Sequence, residues 1–236
     1  MSEDSTISCY DDHAKDYDEY QLAIVPHYQD ALEATADACE RYLRKDPAIL
    51  DIGCGTGNVC MAVLGRMKAE VFLLDGSQSM VEIASKKIAT AYPGTIIGCK
   101  IADLSEDDWS DGLGRYDAVI STLVLEHIPP DKYRSLISRC LDLLNPGGVM
   151  ASVEGYDEGD DMLGWFNGLM EQRKSRVEPE VAESVASLRD EKEIHYYTSK
   201  ARKTEWWREA GFMDVKIIWQ YLAVALMVGR KSEEKT

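Results

Sequence analysis

The sequence lacks the features that mark disulfide-bonded, metal-bound and membrane-spanning proteins. Its six cysteines lie far apart without a C-x-x-C pair, which argues against a zinc ribbon or a disulfide framework and predicts reduced, mainly buried thiols. Its four histidines show no metal-like grouping, so no metal site is expected. No run of about 18 apolar residues is present, so no membrane association is expected. The acidic N-terminal stretch lacks the basic flank and apolar core of a signal peptide, which predicts a cytoplasmic protein.

Positive charge is scarce as well. The chain has 26 Lys and Arg against 42 Asp and Glu, a net charge of −16. Such a surface repels a phosphate backbone, so nucleic acid is not an expected partner. The length of 236 residues and the 45% hydrophobic content suit one α/β domain with an elaboration.

What the sequence does contain is a strand, a glycine-rich turn and a helix in direct succession. The apolar run Ala48 to Ile52 predicts a strand buried on both faces of a parallel sheet. Gly53, Gly55 and Gly57 follow at every second residue, and their lack of a Cβ lets the backbone bend sharply and approach a ligand closely. A helix is expected over residues 59–67. This succession predicts a ligand site at the turn.

Acidic residues stand near the ends of the predicted strands. Asp51 directly precedes the glycines, Asp75 ends the second apolar run, and Asp103 follows the third. Open α/β sheets bind ligands beyond the carboxyl ends of their strands. A carboxylate at the end of the second strand can accept two hydrogen bonds from a ribose diol. A ligand with a ribose is therefore expected to meet the Asp75 carboxylate at this edge of the sheet.

Together with its acids, the glycine segment resembles motif I of the class I S-adenosylmethionine (SAM)-dependent methyltransferases. The stretch YDAVISTLVLEHIPP, residues 116–130, is similar to the family's F/Y-D-x-V and L-E-H-I/L-P segment. The stretch EAGFMDV, residues 209–215, looks like the entry to the family's C-terminal hairpin. The resemblance covers about residues 49–231 apart from an insertion at 155–200. It implies a Rossmann-like, seven-stranded, mostly parallel sheet with a C-terminal antiparallel hairpin, to which the insertion adds a helical cap.

The resemblance also implies a cofactor and a set of residues that hold it. SAM would bind with Asp75 on the ribose, Asp103 on the adenine amine and Ser121 beside the methionine part. Met80 would pack on the adenine, although a Met at helical spacing is equally consistent with plain core. The implied cofactor-binding residues are Asp51, Gly53, Cys54, Gly55, Gly57, Asp75, Gly76, Met80, Asp103, Leu104 and Ser121.

Two segments outside the alternating strands and helices are predicted to close the site. The tract YDDHAKDYDEY is similar to the aromatic and acidic lid of small-molecule methyltransferases, with Tyr10 and Tyr17 as lid candidates that contact the cofactor. The alternative is a solvated helix whose tyrosines merely dock on the domain. Residues 155–200 carry apolar anchors and a charged helical stretch and are expected to cover the substrate. The predicted organisation is an N-terminal helical lid at 1–46, a SAM-binding core at 47–154, the cap at 155–200, and a C-terminal helix and hairpin at 201–236.

The implied reaction is transfer of the SAM methyl group to a small-molecule acceptor by a monomer or homodimer. In-line displacement at a sulfonium mainly needs positioning and exclusion of water. A base is needed only if the acceptor arrives protonated, and His127 has a suitable unperturbed pKa for that role. The alternative for His127 is a packing or capping role below the cofactor.

The sequence is also compatible with three rival functions. The termini also look somewhat like those of carboxy-SAM synthases, which rely on an arginine to hold the added carboxylate, but Trp206 and Trp207 occupy the corresponding neighbourhood here. A nicotinamide-dependent oxidoreductase would normally show G-x-G-x-x-G, and Asn58 stands at the candidate position of its third glycine. A catalytically idle SAM-binding module is the third.

Overall fold

The computed structural model describes residues 17–159, 161–179 and 194–233. Its strands form one seven-stranded sheet. The strands are β1 Ala48–Ile52, β2 Glu70–Asp75, β3 Ile96–Ile101, β4 Tyr116–Thr122, β5 Leu144–Gly155, β6 Met213–Tyr221 and β7 Val224–Arg230. Their order across the sheet is β3-β2-β1-β4-β5-β7-β6.

Helices cover both faces of the sheet. A first helix, α1, includes residues 17–24. The others are α2 Tyr28–Tyr42, α3 Asn58–Leu64, α4 Gln78–Ala91, α5 Pro130–Leu143, α6 Met162–Lys174 and α7 Lys200–Ala210, with a 3₁₀ turn at Leu125–His127. No helix among the residues described is long and apolar enough to cross a membrane.

The sheet has the predicted topology. Strands β1 to β5 pair in parallel, whereas β7 pairs antiparallel with both β5 and β6. In β1, Ile49, Leu50 and Ile52 are buried because helices pack on both faces of the sheet. The predicted seven-stranded fold with a C-terminal antiparallel hairpin is thus confirmed.

Several element boundaries differ from the sequence prediction. The described part of the predicted helical region at 1–46 contains two helices, and the chain is interrupted between α1 and α2, where His27 has a left-handed backbone with φ 58°. Strand β4 ends at Thr122, because Leu123 also has a positive φ of 56° and its amide donates to the Val153 carbonyl. This bend lets the following residues form the 3₁₀ turn at the edge of the sheet.

The described cysteines are free, and they differ in burial. Cys39, Cys54, Cys60 and Cys140 are buried, as expected, whereas Cys99 on the edge strand β3 is exposed. Trp109 is buried in the core.

Candidate functional site

The glycine loop follows β1, at the point where the strand order reverses. In the sheet, β2 lies on one side of β1 and β4 on the other. Gly53, Gly55 and Gly57 have φ angles of 64°, 50° and 83°, a left-handed backbone that glycine adopts without strain. A Cβ on Gly53 would come within 2.4 Å of Val124, so this position also needs a residue without a side chain. A Cβ on Gly55 would meet nothing within 4 Å. The backbone at Gly55 is therefore open to a ligand.

Asp75 and Asp103 lie at the ends of adjacent parallel strands, as predicted. One Asp75 oxygen accepts a hydrogen bond from the Gly55 amide at 2.8 Å, and the other accepts from the Ser77 amide at 2.9 Å. Asp103 accepts from the Ser105 amide and hydroxyl, each at 2.8 Å. Both carboxylates are thus held in fixed orientations at the carboxyl edge of the sheet.

Asp51 is more deeply placed than its sequence position indicates. Its side chain is buried under the glycine loop, and one oxygen accepts from the Cys60 thiol at 3.1 Å. Burial raises the pKa of Asp51 to about 7, opposed by the thiol hydrogen bond and assisted by the charge of Asp75. Its other oxygen has no hydrogen-bond partner among the residues described.

The other implied cofactor residues also lie around this loop. The Cys54 amide donates to the Leu74 carbonyl, which fixes the loop to β2, and Gly76 is partly exposed beside Asp75. Met80 and Leu104 are buried, so the core alternative for Met80 stays open. The Ser121 hydroxyl is buried at the end of β4 and finds no partner in the described part of the chain. A polar ligand group beside β4 would satisfy it.

The helix α1 is tied to the glycine loop by a residue that the sequence prediction did not select. Asp18 accepts hydrogen bonds from the Thr56 hydroxyl, from the Asn58 amide at 2.8 Å and from the Lys87 ammonium. We call Asp18 with these three donors the lid latch. Of the two lid candidates, Tyr17 begins the described part of α1 and Tyr10 lies outside the described residues.

A small cavity lies between α1, α6 and the end of β4, with a volume of about 50 Å³. Its walls include Tyr17, His127, His195 and Tyr197, and α6 contributes Leu163. The sequence prediction named Tyr17 and His127 as site candidates. The position of α6 on the cavity wall supports the expectation that the insertion covers the substrate.

His127 faces this cavity from the 3₁₀ turn. Its Nδ1 lies 3.1 Å from the Ile194 carbonyl, which can only accept, so Nδ1 carries the proton. The His127 ring lies 4.5 Å from the His195 ring, which in turn stacks on Tyr197 at 5.0 Å. The three rings form one aromatic wall.

Two further residues of the cavity wall escaped the sequence prediction. Glu126 and Gln21 are buried, and Glu126 Oε2 and Gln21 Oε1 have no hydrogen-bond partner within the described ranges. Burial raises the pKa of Glu126 to about 7, with opposing contributions from His127 and Lys203 and a reinforcing one from Glu154. The only sequence signal for Glu126 was its place next to His127 in the L-E-H segment.

Behind the cavity lies a buried ion pair. Lys203 on α7 is bonded to Glu154 on β5, and the two side chains are 1% and 0% exposed. Glu154 also accepts from the Tyr133 hydroxyl at 3.0 Å, and that hydroxyl accepts from the Trp207 indole at 3.0 Å. The Lys203 charge is therefore compensated inside the protein, away from the cavity.

Known proteins resemble this chain in sequence and in fold. Residues 49–148 match the family model for a methyltransferase domain. The chain is 26% identical to a carboxy-S-adenosyl-L-methionine synthase of Chromohalobacter salexigens over 88% of this chain and 77% of that protein. It is 25% identical to the synthase of the same name from Campylobacter hominis, over 91% and 90% of the two chains.

Solved structures share the fold. A DhpI-SAM-HEP complex superposes with a TM-score of 0.68 at 22% identity, over 98% of this chain and 99% of that one. Human N-acetylserotonin methyltransferase in complex with SAM superposes with a TM-score of 0.64 at 17% identity, over 98% and 60% of the chains.

Proposed function

We propose that this chain, in which residues 49–148 form a methyltransferase domain of the class I Rossmann-like fold, uses SAM to methylate a small molecule held in the cavity beside His127. The observation that carries the proposal is the open backbone face of Gly55 beside the fixed carboxylate of Asp75. SAM is a nucleoside joined to an amino acid, and it needs both close backbone approach and carboxylate acceptors.

The residues at the loop fit this cofactor. The Asp75 carboxylate is held at the carboxyl edge of the sheet by the Gly55 and Ser77 amides, and a carboxylate is the acceptor that a ribose diol requires. The unpartnered Ser121 hydroxyl and Asp51 oxygen provide buried polar atoms toward the methionine end. When bound, SAM supplies a methyl group on a sulfonium, which is a good leaving group.

The protein's own contribution is then to hold the acceptor in line and to exclude water. Effective molarity from such positioning can lower a barrier by about 7 to 11 kcal/mol. The lid latch holds α1 over the glycine loop, and α6 closes the opposite side of the cavity. Both segments are therefore placed to keep solvent from the reacting atoms.

Carboxy-SAM synthesis is the second candidate, because the curated relatives carry that name. An added carboxylate needs a cationic partner. Trp206 and Trp207 are buried in the core, and Lys203 is paired with Glu154. No Lys or Arg is found among the described residues of the cavity wall. These contacts favour methyl transfer over carboxylate transfer.

Mass spectrometry of the ligand released from the purified protein tests this choice. We expect SAM or S-adenosylhomocysteine (SAH), and we expect calorimetry to show saturable SAH binding to the emptied protein. Release of carboxy-SAM would support the second candidate. Absence of any SAH binding to the folded protein would contradict both.

A further inference from the structure

The cavity beside His127 contains two buried acceptors from different elements. Gln21 comes from α1 and Glu126 from the 3₁₀ turn, and they are 8% and 4% exposed. Neither Gln21 Oε1 nor Glu126 Oε2 is satisfied by any residue that the structure describes. Buried polar atoms are normally hydrogen-bonded, and leaving an acceptor unsatisfied is costly. Two such atoms on one cavity indicate a ligand that brings hydrogen-bond donors.

The charges around the cavity favour a cation. Glu126 is the only Asp or Glu among the described wall residues, and none of them is Lys or Arg. An anion would therefore find no counter-ion there, whereas a cation would find a carboxylate. The net charge of −16 adds a long-range field that attracts cations.

Other charged groups act on Glu126 from the elements around it. His127 lies on the same turn, Glu154 on β5 and Lys203 on α7. Because Lys203 is already bonded to Glu154, it does not serve as the counter-ion of Glu126. Burial raises the pKa of Glu126, and a cation placed against it would favour the ionised carboxylate.

The remaining walls are apolar and aromatic. Leu163, Phe166 and Met170 on α6 face the cavity, together with Tyr17 and Tyr197. Such walls bind a hydrocarbon or ring but offer little to a strongly polar molecule. Tyrosine faces also attract ammonium groups.

We propose that Glu126 and Gln21 form an acceptor subsite for a small protonated amine with an apolar body. The two side-chain oxygens accept the N–H groups, and the body of the amine packs on the apolar residues of α6. This rests on the proposed methyltransferase function and extends it by naming amines as the substrate class.

Three fluorinated probes that share one ring test the subsite. They are 4-fluorobenzylamine, 4-fluorobenzyl alcohol and 4-fluorobenzoate, which present an ammonium, a hydroxyl and a carboxylate. Their dissociation constants are measured by ¹⁹F NMR on the full chain with and without SAH. We expect the amine to bind at least about tenfold more tightly than the alcohol, and the benzoate more weakly still, because hydrogen bonds to charged groups are the stronger ones.

Two variants locate the effect, with a third as a matched control. Glu126→Gln removes the charge and should weaken amine binding by about tenfold or more while changing alcohol binding by less than about threefold. Gln21→Met removes the second acceptor and should weaken both. Glu33→Gln removes the same charge from the exposed face of α2 and should change neither. Circular dichroism and SAH affinity show that each variant is folded.

The outcomes separate the subsite from the methyltransferase function. Equal binding of amine and alcohol, undetectable amine binding at millimolar concentration, or unchanged amine affinity in Glu126→Gln would each overturn the subsite. If the native chain prefers the amine and Glu126→Gln abolishes that preference, the subsite is supported, whether or not SAH binds. Failure of SAH to bind the native chain would overturn the methyltransferase proposal alone.

Discussion

At the scale of single residues, the site depends on carboxylates that differ in environment. Asp75 is partly exposed and holds two loop amides, whereas Asp51 is buried with one oxygen unpartnered. Asp75 is the acceptor that we propose for the ribose of SAM. Burial of Asp51 disfavours its charged form, so the contribution of Asp51 to stability depends on pH.

Replacing Asp75 with Ala should weaken SAH binding by about 1.5 to 3 kcal/mol, because a charged acceptor for the ribose is lost. Titration calorimetry measures the change. Asp75 also fixes Gly55 and Ser77, so Asp75→Asn, which keeps an acceptor oxygen, should lose less affinity. Asp142→Ala, on the exposed face of α5, is the control and should bind normally. Unchanged affinity in a folded Asp75→Ala protein would remove Asp75 from the site.

Asp51 should make the folded state less stable as the pH rises. Its pKa is about 7 in the folded protein against 3.8 when unperturbed, so between these values the folded state binds a proton that the unfolded state has lost. The free energy of unfolding therefore falls through this window and stays lowered above it. Asp51→Asn lacks this titration, so its stability relative to the native protein should rise by on the order of 3 kcal/mol between about pH 4 and pH 8.

Urea unfolding of both proteins across that range measures the difference. Glu126 titrates in the same window but is present in both proteins, so its contribution cancels. Asp142→Asn, a change of the same type on the surface, should show a constant difference from the native protein. A constant difference for Asp51→Asn as well would mean that Asp51 does not have the raised pKa.

At the scale of elements, the notable feature is the attachment of α1 to the glycine loop. The lid latch joins α1 to the loop through Thr56, to α3 through Asn58 and to α4 through Lys87. All three contacts end on the single carboxylate of Asp18. Removal of this one side chain should therefore break all three hydrogen bonds at once.

Asp18→Ala should release α1, so the amides of residues 17–24 should exchange with solvent faster while those of β1 remain protected. SAH should also bind more weakly, by about 1 to 2 kcal/mol, because the lid must be ordered on binding. Hydrogen exchange with mass spectrometry and calorimetry measure the two effects. Glu19→Ala, an exposed neighbour on the same helix, is the control. If α1 exchanges equally fast in both variants, the latch does not hold the lid.

At the scale of the whole molecule, the buried ion pair and its hydrogen bond to Tyr133 connect the sheet to the helices α5 and α7. Glu154 lies on β5, Lys203 on α7, and Tyr133 on α5 joins them through its hydroxyl. A buried pair adds little net stability, but removing one partner leaves an uncompensated charge. The pair should therefore show strong coupling between its members.

Lys203→Met should lower the free energy of unfolding by about 3 to 5 kcal/mol. The double variant Lys203→Met with Glu154→Gln should recover most of that loss, since Gln keeps an acceptor for Tyr133 and Ser152 without a charge. Urea unfolding of the single and double variants completes a mutant cycle. Additive losses in the cycle would show that the two side chains do not act as a pair.

The sequence by itself determined the order of the elements and the class of the domain. A run such as Ala48 to Ile52 followed by alternating glycines encodes strand, turn and helix through local backbone preferences. The segments at 116–130 and 209–215, which resemble the methyltransferase family, are also contiguous in the sequence. The prediction of a seven-stranded sheet rested on such local patterns and is confirmed, and residues 49–148 match the family model for a methyltransferase domain. The Ser77 cap on α4 was also predictable, because it involves residues only three apart.

Only the tertiary structure decided which polar groups are buried and what they meet. Asp18 reaches donors 38 to 69 residues away in the chain, and Lys203 meets Glu154 across 49 residues. The local sequence does not indicate whether Glu126, the glutamate of the L-E-H segment, is buried or exposed. Its burial depends on where β5, α1 and α6 pack around the 3₁₀ turn, and burial is what removes water from its carboxylate and leaves it an acceptor for a ligand.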